Sequence, residues 1–506
     1  MGSIDSIIIG KHTLESLTSG MYSNSYVVFR EYLQNSVDSI DEAIKAGILT
    51  PGSEQIIVKL RPTENQIIIT DNGFGIPNLE VEKTLISIGN SKKSSEKARG
   101  FRGIGRLSAL SYCKRLTFST SFKGETVATQ IIIDASKLSE LLADEKKSDV
   151  TVFDVLESIY TVLTTPEKKD SHYFSVQLDG VDVNSGLLSY ENVKSYLEQN
   201  LPVPYNPEFE WGKEIIKRFQ HEGITISSYN ISLEYGGHLS SIYKPYKDQF
   251  LVDKTKNITD LIQDIQIIKI PNSHSGITAI GWLAKTNYKG SIYEKSVRGI
   301  RMRKGNILIG DYHTLDDIFR DSRFNGWSIG EIFAIDKLLI PNARRDNFEK
   351  NQTYFSFYEQ LKPLATEITR NIRTVSIKRN VPLSNAIKQL NATSQQASSA
   401  ISQGISGAQK GLISKKLKKV KLAVSNSRID TDSEQYYQDI AFEELDMLIG
   451  KLKGTTKYKA LNTISSLTNT EKKILERVIQ IIESIEIDNA DIVIDAILNK
   501  FAAHSK

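Results

Sequence analysis

Two glycine-rich turns and one acid–amide helix face, in fixed order between residues 31 and 106, constrain this chain more than any other feature. The helix face is Glu31-Tyr-Leu-Gln-Asn35-Ser-Val-Asp38. Glu31, Asn35 and Asp38 stand four and then three residues apart, so they share one side of a helix. An amide oxygen there can ligate a hard cation, and a carboxylate one turn away can polarise a water. Taken alone, the same residues also suit a solvated helix face. The first turn is Asp71-Asn-Gly73-Phe-Gly75-Ile76-Pro77, directly after the β-rich run Gln66–Thr70. A carboxylate at the end of a strand can accept a hydrogen bond from an exocyclic amine, and the glycines let the main chain approach a flat ring. Asn-Gly also favours a simple turn. The second turn is Gly100-Phe101-Arg102-Gly103-Ile104-Gly105-Arg106, opening a helix-like stretch at Leu107–Leu110. Main-chain N–H groups at such a start make an anion site. The polar loop before it, beginning Asn90-Ser91-Lys92, has the composition of a lid over phosphates. The glycine order is not that of a dinucleotide-binding fingerprint, and the Gly-Lys-Ser/Thr ending of a P-loop is absent.

Composition narrows the alternatives. At roughly 100–200 residues per domain, 506 residues predict about three domains. With 40% apolar and 25% charged residues the chain has material for several cores. A net charge of +4 does not demand nucleic acid as a partner. The lone Cys113 excludes an internal disulfide and a multi-cysteine zinc site, and fits a reducing, cytoplasmic compartment. No two of the seven His residues stand at i, i+4 on a helix, which argues against a zinc hydrolase. No apolar run approaches the about 18 residues of a membrane span.

Periodicity along the chain predicts an α+β protein in three parts, 1–183, 184–378 and 379–506. In the first part, Tyr26–Ile44 reads as a helix with Val28, Leu33, Val37 and Ile40 on its apolar face. Gln55–Leu60 and Gln66–Thr70 read as a hairpin, with further strands at 115–121, 126–133 and 173–178. The second part reads as helices at 190–200 and 212–219, strands at 224–234, 265–270, 277–283 and 300–309, and one long helix from Asp346 to Lys378. The third part is helical from Ser433 onward. Its Ser-, Gln- and Ala-rich start, Ala386–Gly411, suits a linker or a soft helix, and Lys415, Lys416, Lys418, Lys419 and Lys421 form a basic run. That run makes nucleic acid a possible partner, although most such runs are solvated helix faces.

In this order and at these separations the three motifs resemble those of the GHKL ATPase superfamily: DNA gyrase B, the ninety-kilodalton heat-shock chaperone, histidine kinases, MutL and the MORC proteins. Glu31, Asn35 and Asp38 match its N box, Asp71, Gly73 and Gly75 its first glycine box, and Gly100, Gly103 and Gly105 its second. The resemblance covers roughly residues 10–180 and implies a Bergerat α/β sandwich, an α/β transducer-like middle domain and a helical C-terminal region. It further implies ATP and Mg²⁺ as cofactors, Glu31 as general base, Asn35 as Mg²⁺ ligand and Asp71 as the reader of adenine. The family's Gly-Thr pair near its last strand is absent; Ser171-His172-Tyr173-Phe174 stands in the corresponding place. In the second part, Asn342-Ala-Arg344-Arg345-Asp346 is similar to the chaperone segment whose arginine reaches the γ-phosphate, which gives that role to Arg345, with Lys304 as the rival. The chaperone's glutamine four residues on is Glu349 here. A histidine kinase is disfavoured, since only His12 precedes the N box. The resemblance thus implies an ATP-gated dimeric clamp on a protein or DNA client, similar to bacterial chaperone-like members some of which serve in defence against phage. A non-hydrolysing ATP-switched scaffold is the alternative.

Overall fold

The structure is a computed structural model and describes residues 10–11, 13–14, 24–87, 105–144, 150–272, 276–378, 383–403, 407–427, 429, 432–453, 467–484, 493–494, 496–497 and 500. The chain divides into two compact units. One comprises Met1–Thr259, Ile265–Ala284 and Gly290–Thr369; the other comprises Asp260–Asp264, Lys285–Lys289 and Arg370–Lys506.

The first unit is built on two large sheets. Helix α1 (Val27–Lys45) buries Val28, Leu33, Val37 and Ile40 as the 3.6-residue period demands. The hairpin follows: β1 (Ile56–Arg61) pairs antiparallel with β2 (Gln66–Asp71), and their strict alternation puts Val58, Leu60, Ile67 and Ile69 into the same core as α1. Asn65, at φ 48°, turns the chain between them. Next come β3 (Arg115–Ser121), β4 (Val127–Asp134), β5 (Tyr160–Pro166) and β6 (Tyr173–Asp179). With β7 (Ile231–Tyr235) and β8 (His238–Ser241) they form one eight-stranded sheet in the order β5-β4-β3-β6-β2-β1-β7-β8. Strand β7 lies parallel to β1, so two strands from beyond residue 183 complete this sheet. The run 224–230, expected as part of a strand, makes no ladder. Its main chain bonds elsewhere: Tyr229 N–H donates to Pro202 O and Ser227 O accepts from Asn306 Nδ2.

Among the described residues, strands β9 (Gln249–Asp253) and β10 (Ile258–Leu261) pair only with each other, and the second large sheet is five-stranded, in the order β11 (Asp264–Pro271), β12 (Ile277–Lys285), β15 (Ile329–Ala334), β13 (Gly299–Lys304), β14 (Ile307–Ile309). The stretch 300–309, expected as one strand, is two strands folded at Gly305 and Asn306, both of which have positive φ. A charged knot sits inside this half. Glu331, fully buried on β15, accepts from Lys244 Nζ at 2.8 and 2.9 Å, from Tyr205 OH at 2.7 Å, from Trp282 Nε1 at 3.2 Å and from Arg303 Nε. Burial alone would raise the Glu331 carboxyl, but Arg303 and Lys244 outweigh it and pull it down to about 2. The last long helix of this part runs over Gln352–Lys378 and not from Asp346. Residues before it are held as a loop by Asn342 N–H to Asn347 O and Glu349 N–H to Ile340 O, and Asn351 Oδ1 accepts the Tyr354 N–H as an N-cap would.

The second unit is helical. Helices Leu383–Gln403, Gly407–Ser425 and Asp432–Lys453 share a core of Leu390, Ala397, Leu417, Val424, Leu445 and Leu452, so the Ser- and Gln-rich stretch is a helix with a narrow apolar seam. Within the basic run, Lys421 pairs with Asp446 and Lys416 donates to Gln396 at 3.2 Å, while Lys415 and Lys419 are exposed. Helix Asn469–Ser484 follows. Among the described residues no helix is long and apolar enough to cross a membrane.

Candidate active site

Helix α1 carries the acid–amide face toward one end of the first sheet. Glu31 is largely enclosed, with 13% of its side chain exposed; Asn35 is half-buried one turn on, and Asp38 is buried. Asp71 ends β2 in the interior, 1% exposed, and its Oδ1 accepts from Gly73 N–H at 2.9 Å.

The turn after Asp71 has little freedom. Phe74 N–H donates to Ser39 on α1, both to Oγ at 2.9 Å and to O at 3.1 Å. Gly73 O accepts from His172 Nδ1 at 2.8 Å, just before β6. Ile76 N–H donates to Thr120 Oγ1 at 3.0 Å, and that hydroxyl donates on to Tyr173 O at 2.9 Å. A Cβ on Gly73 would strike Ser39 Oγ and Asp71 Oδ1. One on Gly75, at φ +70°, would strike the carbonyl oxygen of Ser121. Both glycines are therefore required by the tight packing of this turn against α1 and β3. On the strand that lacks Gly-Thr, Phe174 stands opposite Asp71, and its ring stacks on Phe118 at 5.9 Å.

Gly105 opens a short 3₁₀ helix, Gly105–Ser111. A Cβ there would strike Glu31 Oε2, so the end of the second glycine turn lies directly against the acid of α1. Tyr32 OH donates to Arg106 O at 2.7 Å, and the Arg106 guanidinium donates to Ser87 O. Burial lowers that guanidinium to about 10. Asn90, Ser91, Lys92, Gly100, Phe101, Arg102, Gly103 and Ile104 lie outside the described residues.

Two guanidiniums meet Glu31. Arg30, 6% exposed, donates to Oε1 from Nε at 3.3 Å and from Nη2 at 3.2 Å. Arg345, 8% exposed, brings Nε to 3.9 Å of the same oxygen. Arg345 has φ +58° inside a closed loop: Pro341 bridges Phe348, its N–H donates to Asn342 O at 3.1 Å, and its carbonyl accepts from Gly310 N–H at 2.8 Å. Arg30 also donates to Arg344 O at 3.2 Å, tying α1 to that loop. Lys304 instead donates to Asp336 O at 2.6 Å, and burial lowers its ammonium to about 8. The geometry thus gathers Glu31, Gly105 and Arg345, and sets Asp71, Gly73 and Gly75 around Ser39. Sequence reasoning missed Arg30 and Ser39, and named His172 only within the stretch that stands where the Gly-Thr pair is absent. The one available signal was that Arg30 and Ser39 flank the Glu31–Asp38 motif. Among the described residues no cluster of three His, Cys, Asp or Glu side chains suits a metal ion.

Residues 22–161 match the family described as histidine kinase-, DNA gyrase B- and HSP90-like ATPase. Curated relatives are chaperone proteins HtpG. That of Buchnera aphidicola is 26% identical over 167 residues, 28% of this chain and 27% of the relative. That of a Polaromonas strain is 29% identical over 129 residues, 22% and 21% of the two chains. That of Vesicomyosocius okutanii is 33% identical over 84 residues, 15% and 14%. The matches span about a quarter or less of these relatives' length. The region 22–161 of this chain, which holds the enclosed Glu31 and the glycine turn after Asp71, is thus similar to the histidine kinase-, DNA gyrase B- and HSP90-like ATPases and, among curated proteins, to the chaperone HtpG.

Proposed function

We propose that the chain binds and hydrolyses Mg-ATP and uses the cycle to open and close a dimeric clamp on a protein or DNA client, its three parts 1–183, 184–378 and 379–506 serving as ATPase domain, transducer-like middle domain and helical C-terminal region. The observation that carries this function is the meeting of Glu31 with Gly105 and Arg345. A carboxylate held against a glycine turn, with a guanidinium from a distant loop beside it, is the equipment for attack of water on a phosphoryl group.

Asp71 accepts a hydrogen bond from the adenine amine, and the main chain of Gly73 and Gly75 lies against the base. Asn35, with Asp38 on the same helix face, holds the magnesium-bound polyphosphate. The bound Mg²⁺ supplies charge neutralisation on the phosphate oxygens. Contact with the phosphates is the role proposed for Asn90, Ser91, Lys92 and residues 100–105. Glu31 polarises the attacking water, and Arg345 stabilises charge on the transferred group. Arg345 also pairs with Glu31, so a phosphate that draws Arg345 away releases the base. Gating of hydrolysis by closure follows from that competition.

The same ion pairs favour a second reading, a scaffold switched by ATP binding without turnover, because a carboxylate engaged by Arg30 and Arg345 polarises water poorly. Steady-state turnover separates the two. Glu31→Ala is expected to lose about 100-fold or more in kcat while calorimetry still detects ADP binding. Asp71→Asn is expected to lose binding itself. Unchanged turnover in Glu31→Ala overturns the catalytic assignment.

A further inference from the structure

The turn that shapes the base-binding end is fastened at both ends of a single peptide unit. Between Gly73 and Phe74, the N–H is taken by Ser39 of α1 and the carbonyl by the ring of His172, 99 residues away in sequence. The peptide before it donates its N–H to Asp71 Oδ1. The conformation of Gly73 therefore sets the rotamer of the carboxylate. Gly73 admits no Cβ, and neither Ser39 nor Asp71 leaves it room to swing toward α1. From the opposite side the His172 ring restrains this carbonyl.

We propose that His172 is the positioning residue of the nucleotide site, holding Gly73 O so that the Asp71 carboxylate stays aimed at an exocyclic amine. A carbonyl oxygen only accepts, so the His172 ring carries its hydrogen on Nδ1 and donates. This is the residue that follows Ser171 where no Gly-Thr pair occurs, and it restrains the turn from the β6 side, where Phe174 stands opposite Asp71. Its contact is with the turn, at Gly73 O. Its effect is on affinity and on choice of base, leaving the chemical step at Glu31 alone.

This inference rests on the proposed ATP site, and its test keeps the two apart. In the full-length chain, affinities for ADP and GDP are measured by calorimetry, with kcat and KM for ATP. The variants are His172→Ala and His172→Phe, which lack the donor, and His172→Asn, whose Nδ2 reaches the place of Nδ1. Loss of one such hydrogen bond predicts about three- to tenfold weaker ADP binding and a raised KM at nearly unchanged kcat. The ADP-over-GDP preference is expected to fall by a similar factor, and both effects to recover in His172→Asn. Wild-type affinity and preference in His172→Phe or His172→Ala overturns the proposal. So does an Asn variant as weak as the other two, because a merely structural ring would give that pattern. Absence of ADP binding in the wild type removes the ATP site itself.

Discussion

At the scale of the residue, two glycines that look alike in sequence do different work. A methyl group on Gly105 meets the far end of one side chain, Glu31 Oε2. The carboxylate can move aside, at the expense of its position against Arg30 and Arg345. A methyl on Gly75 meets the Ser121 carbonyl, which belongs to β3 and cannot move, and it does so at φ +70°. Gly105→Ala is therefore expected to leave the unfolding free energy within about 1 kcal/mol of wild type and to lower kcat about tenfold or more, since a shifted base costs orientation. Gly75→Ala is expected to destabilise the fold by about 2 kcal/mol or more before any question of turnover arises. Paired thermal melts and ATPase assays distinguish the two. A Gly105→Ala protein with wild-type kcat would separate the second glycine turn from the acid. The acid and amide positions were legible because helix period and turn chemistry announce them. Arg30 was not, since a residue adjacent to a motif carries no spacing of its own, and the positive φ of Arg345 leaves no trace in composition.

At the scale of the element, the hairpin 56–71 and helix α1 were legible because their partners are local: alternation and the 3.6-residue period are both written within twenty residues. Strand β5 was not. It lies at the sheet edge with nearly every residue exposed, so it carries no apolar alternation to read. The helix 383–403 read equally as a linker because its seam is small residues, and it is the packing of two neighbouring helices that makes Ala386, Leu390 and Ala397 a core. The knot at Glu331 was invisible for a related reason. Lys244, Arg303 and Glu331 are scattered in sequence and become one unit only when β13, β15 and the 244 segment meet. Breaking it by Glu331→Ala leaves two buried cations without their carboxylate, an expected loss of about 3–5 kcal/mol in denaturant unfolding. The sign of its pH dependence follows from the lowered carboxyl. With a folded value of about 2 against the ordinary 4.5, its stabilisation is complete above the ordinary value and lost as pH falls from there toward 2. Wild type is expected to weaken through that window more steeply than Glu331→Ala, and identical acid profiles would deny Glu331 its share.

At the scale of the whole molecule, the proposed clamp needs a second copy, and two helices of the C-terminal part carry apolar faces on which it is expected to sit. Helix Asn469–Ser484 has two such faces. Leu475 and Ile479 are buried in its own small core, while Ile474, Val478 and Ile481, spaced four and then three residues apart, are 58%, 38% and 52% exposed. Helix Asp432–Lys453 repeats the pattern with Tyr436, Ile440 and Met447 at 64%, 42% and 57%. An aligned apolar stripe on an otherwise charged helix differs from the scattered exposed side chains of any surface, and a monomer holding it in water gains nothing from it. Association of two copies through these helices buries both stripes at once, since a two-fold contact presents the same face twice. The double variant Ile474→Lys, Val478→Lys puts like charges opposite each other across that axis without touching Leu475 or Ile479. Light scattering is expected to show the wild type as a dimer and the variant as a monomer of unchanged helix content and unchanged ADP affinity. A variant that remains dimeric would move the contact to the ATPase domain, and the clamp would then close where nucleotide binds and nowhere else.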